Sequence, residues 1–117
     1  MAATVLPKKA DSAPGGRAFA MKSYQQGVQR LVAACDEELL GTKHSEGKFR
    51  LDVAPNFYDG LRVDGDTLQV HLRGCTVANL VGARTVQLAI GIGLVEPENV
   101  LRIGGIPHAQ VLVLDVT

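Results

Sequence analysis

The sequence predicts an α+β domain, a mostly antiparallel sheet of about five strands packed by two helices in the order β-β-β-α-α-β-β. Three observations predict it. Alternating or densely apolar runs gather towards both ends of the chain, over residues 18–53 and 100–116. Between them, residues 66–92 carry apolar side chains at helical spacing. At 117 residues the chain fits one compact domain, which we place at residues 17–117. Residues 1–16 hold Pro7, Lys8, Lys9, Pro14, Gly15 and Gly16 with no apolar core; a disordered N-terminal tail is expected there.

Each element follows from its local pattern. Ala18–Tyr24 alternates, with Phe19 and Met21 on one face and Lys22 and Tyr24 on the other. Gln25-Gln26-Gly27 interrupts it, and Val28–Cys35 resumes as a dense apolar run, so the pair reads as a β-hairpin whose second strand is buried on both faces. Asp36-Glu37-Glu38-Leu39-Leu40-Gly41 is one helical turn ended by glycine, and Thr42–Gly47 a polar loop. Lys48–Val53 is the cleanest strand, with Phe49, Leu51 and Val53 facing one way and Lys48, Arg50 and Asp52 the other. Ala54–Gly65, with Asp59-Gly60 and Asp64-Gly65, reads as a loop.

Asp66-Thr67-Leu68-Gln69 resembles a capping box that opens a short helix with Leu68, Leu72 and Cys75 on one face. A second helical pattern spans Val77 to Ile92 on the stripe Val77, Val81, Leu88 and Ile92, with Arg84 in the remaining slot and Gly82 as a kink or break. Val100–Ile103, the turn Gly104-Gly105-Ile106-Pro107 and an interior strand over Ala109–Val116 close the fold.

Composition excludes several functions. Twelve basic and twelve acidic residues balance, so a polycationic nucleic-acid coat is excluded. Lys8, Lys9, Arg17 and Lys22 against Asp11 make residues 1–22 net +3, which leaves the body at −3. No apolar run is long enough to span a membrane. Cys35 and Cys75 make no disulfide scaffold, and Cys35 lies in an apolar run as a small buried hydrophobe; a reduced, cytoplasmic setting is expected. There is no phosphate-binding P-loop, no third glycine after Gly91-Ile92-Gly93 and no hydrolase nucleophile elbow. His44, His71 and His108 lack metal-ligand spacing, so neither metal nor cofactor is expected.

What chemistry there is concentrates in few places. Gly104-Gly105 can present bare amides to an anion, Arg102 can clamp it, and His108, set by Pro107, can carry a proton; a plain hairpin turn explains the same glycines. Asp36, Glu37 and Glu38 are a solvated corner, or supply a general base. Asn79 satisfies a backbone group near Gly82, or Arg84 pairs with one of the acids, structural roles that come before catalysis. Phe57 and Tyr58 plug the core, or form a stacking platform.

Three blocks carry a family resemblance: VAACDEELLG (residues 32–41), TVANLVGARTVQLAIGIGLV (76–95) and ENVLRIGGIPHAQVLVL (98–114). In this order and spacing the chain resembles domain-of-unknown-function family 424, a set of small archaeal proteins, over roughly residues 21–114. About 20 N-terminal residues and the segment LQVHLRG depart from the pattern. The resemblance implies an archaeal, cytosolic α+β domain associated with translation genes. It implies Asp36, Gly41, Asn79, Gly82, Gly104, Gly105, Pro107 and His108 as the site, and no reaction.

The preferred reading is a non-enzymatic binding module for RNA or the ribosome. Lys48, Arg50, Arg62, Asn79, Arg84, Arg102, His108 and the Gly104-Gly105 amides would supply its polar and basic groups, and Tyr58 or Phe57 would stack on a base. The alternative is a small enzyme or ligand-binding protein in which Asp36 or Glu37 and His108 converge on an anionic small molecule. That alternative requires the end of the second strand to lie beside the last turn. A third is a structural subunit that buries its apolar surface in a partner.

Overall fold

The computed structural model describes residues 18–113, so the tail expected over residues 1–16 lies outside the described residues. Strands β1 (Phe19–Gln26) and β2 (Gln29–Asp36) pair antiparallel from Phe19↔Asp36 to Gln26↔Gln29. Gly27 takes a positive φ in the two-residue turn that this hairpin needs. From Val32 to Asp36 every residue of β2 is buried, as an apolar run without alternation requires. A 3-10 turn over Glu37–Leu39 follows, and Gly41 (φ +83°) ends it.

The segment expected to be a polar loop is a strand. Here β3 (Lys43–Glu46) pairs with β4 (Phe49–Asp52) in a separate two-stranded sheet, from Lys43↔Asp52 to Glu46↔Phe49. Lys-His-Ser-Glu carries no apolar alternation, so its conformation is set by the partner strand. The loop expected over Ala54–Gly65 likewise holds a one-turn helix α1 (Pro55–Tyr58) and a strand β5 (Leu61–Val63), which pairs with β1.

Helix α2 (Gly65–Arg73) is capped two residues before the expected cap, Asp66. Its cap is Asp64, whose Oδ1 accepts from the Thr67 N–H at 2.8 Å, and Asp66 falls within the first turn. Leu68, Leu72 and Cys75 are buried, as their spacing predicts. The helix expected over Val77–Ile92 divides at Gly82 into strand β6 (Val77–Val81) and helix α3 (Ala83–Gly91). Val77 and Val81 fit a helical stripe and a strand equally well. Pairing on both sides decides for the strand, parallel to β2 from Leu31↔Val77 to Cys35↔Val81 and antiparallel to the last strand. After a 3-10 turn at Pro97–Asn99, β7 (Leu101–Ile103) and β8 (Ile106–Leu112) form the closing hairpin.

The large sheet has six strands, where about five were expected, in the order β5-β1-β2-β6-β8-β7; β2–β6 is its one parallel pair among the described residues. Alternation along the strands builds two cores. Met21, Val32 and Leu80 pack under α2 and α3 with Leu68, Leu72 and Val86. Ala33, Cys35 and Val81 face the other way, under Leu51, Val53 and Tyr58 from the β3–β4 hairpin and α1. The domain is therefore three layers, with the large sheet in the middle. No helix among the described residues is long and apolar enough to cross a membrane.

The Cys35 thiol sits in the middle of this stack, with no exposed surface. Burial, and after it the Asp36 charge, push its pKa up to about 12. The thiolate is the reactive species, so iodoacetamide at pH 8 should leave Cys35 unmodified in the native protein and alkylate it in urea. Peptide mass mapping checks this; rapid native labelling at Cys35 would contradict the buried position.

Candidate functional site

Each member of the acidic run Asp36-Glu37-Glu38 has its own partner. Because β2 and β6 run parallel and in register, residue 36 emerges beside residue 82, where α3 begins. Helix α3 has no side-chain cap of its own, since Gly82 holds the capping position. Asp36 supplies the cap from the neighbouring strand. Its Oδ1 accepts from the Thr85 N–H and the Thr85 hydroxyl, both at 2.8 Å, and its Oδ2 accepts from the Arg84 N–H at 3.2 Å. The carboxylate is 3% exposed and sits at the positive end of the helix dipole. A Cβ on Gly82 would stand 2.6 and 2.7 Å from the two carboxylate oxygens, so only glycine fits, and its φ of +109° suits glycine as well.

Glu38 accepts two 2.8 Å bonds from the Arg84 guanidinium, which also donates to the Ala18 carbonyl at 2.9 Å and lies over the Phe19 ring. The Arg84 hydrogen bond holds the Glu38 carboxyl below its ordinary pKa. Glu37 accepts from Arg62 at 2.6 Å, and Arg62 also bonds Asp59. Arg84 thus pairs with the acids, as one expectation had it, and both Arg62 and Arg84 are engaged within the fold. Asn79 does not serve the backbone at the break; its Oδ1 accepts from Gln110 Nε2 on β8 at 3.0 Å.

The Gly104-Gly105 turn is exposed, with both residues at positive φ in a two-residue hairpin. One of the two amides expected to be bare is taken, because Gly104 N–H donates to Glu46 Oε1 at 2.8 Å. Val81, Cys35 and His108 lie in one row across β6, β2 and β8, so Asp36 and His108 share one end of the sheet. Their side chains point to opposite faces, however. Asp36 lies under α3, whereas His108 faces the β3–β4 hairpin, so the two do not converge.

His108 Nδ1 lies 2.9 Å from the Leu80 carbonyl oxygen, which can only accept; Nδ1 is therefore assigned the proton, and Nε2 is the acceptor of the neutral ring. The imidazole lines a groove of about 350 Å³ with Phe49, Arg50, Asn99, Leu101 and Gln110. Arg102, one residue from Leu101, projects to the helix side instead. Phe57 and Tyr58 plug the core, as the first of their two readings expects, and form no open stacking platform. Tyr58 is buried, and Phe57 stacks on Tyr24 at 5.5 Å with its carbonyl accepting the Tyr24 hydroxyl. The aromatic open to solvent is Phe49, 48% exposed. Sequence alternation places it on the core face; at the hairpin tip, opposite Glu46, it faces the groove and stays half uncovered. Among the described residues, no three His, Cys, Asp or Glu side chains group closely enough to hold a metal ion.

Fold and site together define a three-layer α+β domain whose acids are built into the structure and whose open groove lies under a small hairpin. The chain belongs to the family described as protein of unknown function (DUF424), whose model matches residues 24–114. It is also similar to the crystal structure of an uncharacterized conserved protein from Methanopyrus kandleri, with a TM-score of 0.70 and 23% identity over 85% of this chain and 96% of that one. At that identity the likeness shows a shared fold. No curated protein matches the chain.

Proposed function

We propose that this domain is a non-catalytic module that binds single-stranded RNA, in the setting of translation, through the groove between the β3–β4 hairpin and the β7–β8 hairpin. One observation carries the reading. Arg62 and Arg84 are held by acids, whereas Lys43, Lys48 and Arg50, all on the β3–β4 hairpin, have no ion-pair partner among the described residues. The same hairpin exposes Phe49 beside His108. Arg50 lines the groove with Phe49, and Lys43 and Lys48 lie further along the same hairpin; cations for phosphate and a free aromatic face are the elements of single-strand recognition. Asn99 and Gln110 line the same groove with carboxamides able to meet a base edge.

Three cations neutralise few phosphates, so log K should fall against log salt with a slope of about −2. Fluorescence anisotropy with a labelled ten-nucleotide RNA measures it. Phe49→Ala should weaken binding by roughly 5- to 150-fold, the worth of one stacked base. Arg50→Gln should lower the salt slope by about one. Absence of binding at 50 mM salt, or unchanged affinity and slope in both variants, rejects the proposal.

A further inference from the structure

The β7–β8 hairpin bears a second groove on its other face, towards α3, of about 300 Å³. Val86 and Ile90 from α3, Pro97 and Val100 before β7, and Pro107 on β8 give it an apolar floor. Its polar side chains are Arg102 and Gln87, both exposed and both without a hydrogen-bond or ion-pair partner among the described residues. No carboxylate lines it; Glu96, next to Pro97, faces the adjoining groove along β8. One guanidinium over an apolar floor selects a monoanion with an apolar body.

Two features narrow the ligand. The groove is small, about 300 Å³, which suits a single aliphatic side chain with its carboxylate. A free amino acid would bring an ammonium group that no acid here would meet. In a peptide the same nitrogen is an amide, whose N–H suits the Gln87 oxygen. The backbone agrees. Ile103 and Ile106 flank a two-residue turn and exchange both their bonds, so the next pair, Arg102 and Pro107, is not hydrogen-bonded between the strands. The N–H and C=O of Arg102 therefore point off the edge of the sheet, where an extended chain can lie.

We propose that this groove captures the C-terminus of a partner polypeptide that ends in an aliphatic residue, the carboxylate on Arg102 and the side chain against Val86, Ile90 and Val100. The proposal is independent of the RNA reading, which uses the opposite face. The test titrates the ¹⁵N-labelled full chain with acetyl-Gly-Val-Leu as the free acid, with its C-terminal amide, and with hexanoate. The free acid should bind with Kd on the order of 0.1–1 mM and shift the amides of residues 86–90 and 100–102. The amide, and the free acid on Arg102→Gln, should each bind at least tenfold more weakly. Phe49→Ala should leave the titration unchanged, so failure of RNA binding and failure of this site are read separately. Equal binding of acid and amide, hexanoate as tight as the peptide, an Arg102→Gln chain that binds normally, or shifts confined to other residues would overturn it.

Discussion

Gly82→Ala is expected to destabilise the domain by about 4 kcal/mol, the largest effect of a methyl group at any described glycine. Two costs combine. A φ of +109° is strained for any residue with a Cβ, about 1–3 kcal/mol, and forcing a methyl group into filled space costs about 1–3 more. The space is filled by a buried carboxylate, which cannot retreat without abandoning the three donors it satisfies. Urea denaturation followed by circular dichroism measures the loss. A loss under 1 kcal/mol would mean that Asp36 is not packed against Gly82.

Asp36→Ala is the second large effect, about 3 kcal/mol. It removes a helix cap worth about 0.5–2 kcal/mol and leaves the Thr85 N–H and hydroxyl without their charged acceptor in a buried place. It also removes a neighbour 3.8 Å from the Arg84 guanidinium. The two substitutions should not add. With the carboxylate gone, alanine at position 82 meets only the backbone strain, so the double variant should be about 1–3 kcal/mol more stable than the sum predicts. Additivity within 0.5 kcal/mol, the usual result for sites that do not touch, would separate the two residues and reject the contact between Asp36 and Gly82.

Much of the architecture was legible along the chain because its signals are local. Phe19–Cys35 shows the first hairpin through alternation in its first strand and an unbroken apolar run in its second, and Leu68, Leu72 and Cys75 show the buried face of α2. What stayed hidden was set by pairing. Lys43–Glu46 has no apolar pattern of its own, and Leu61–Val63 is too short to show one. Val77–Val81 satisfied a helical stripe until its neighbours on both sides were known. The site divides in the same way. The exposed Gly104-Gly105 turn and the pairing of Arg84 with the acids were foreseeable from composition and charge. The role of Asp36 was not, because its partners lie 48 and 49 residues on and only the parallel register of β2 and β6 brings them together. Alternation assigns Phe49 to the interior, but it reports a face and not how completely that face is covered.

That parallel pairing has a kinetic consequence. The centre of the sheet joins residues 31–35 to 77–81, and those to 108–112. A chain leaving the ribosome can close its first hairpin early, but the middle rung must wait for β6 and the outer one for β8. Distant segments have to meet before their contacts reward the entropy spent, which places such a topology among slow folders, in milliseconds to seconds rather than microseconds. Until then β2, apolar on both sides, has one flank open.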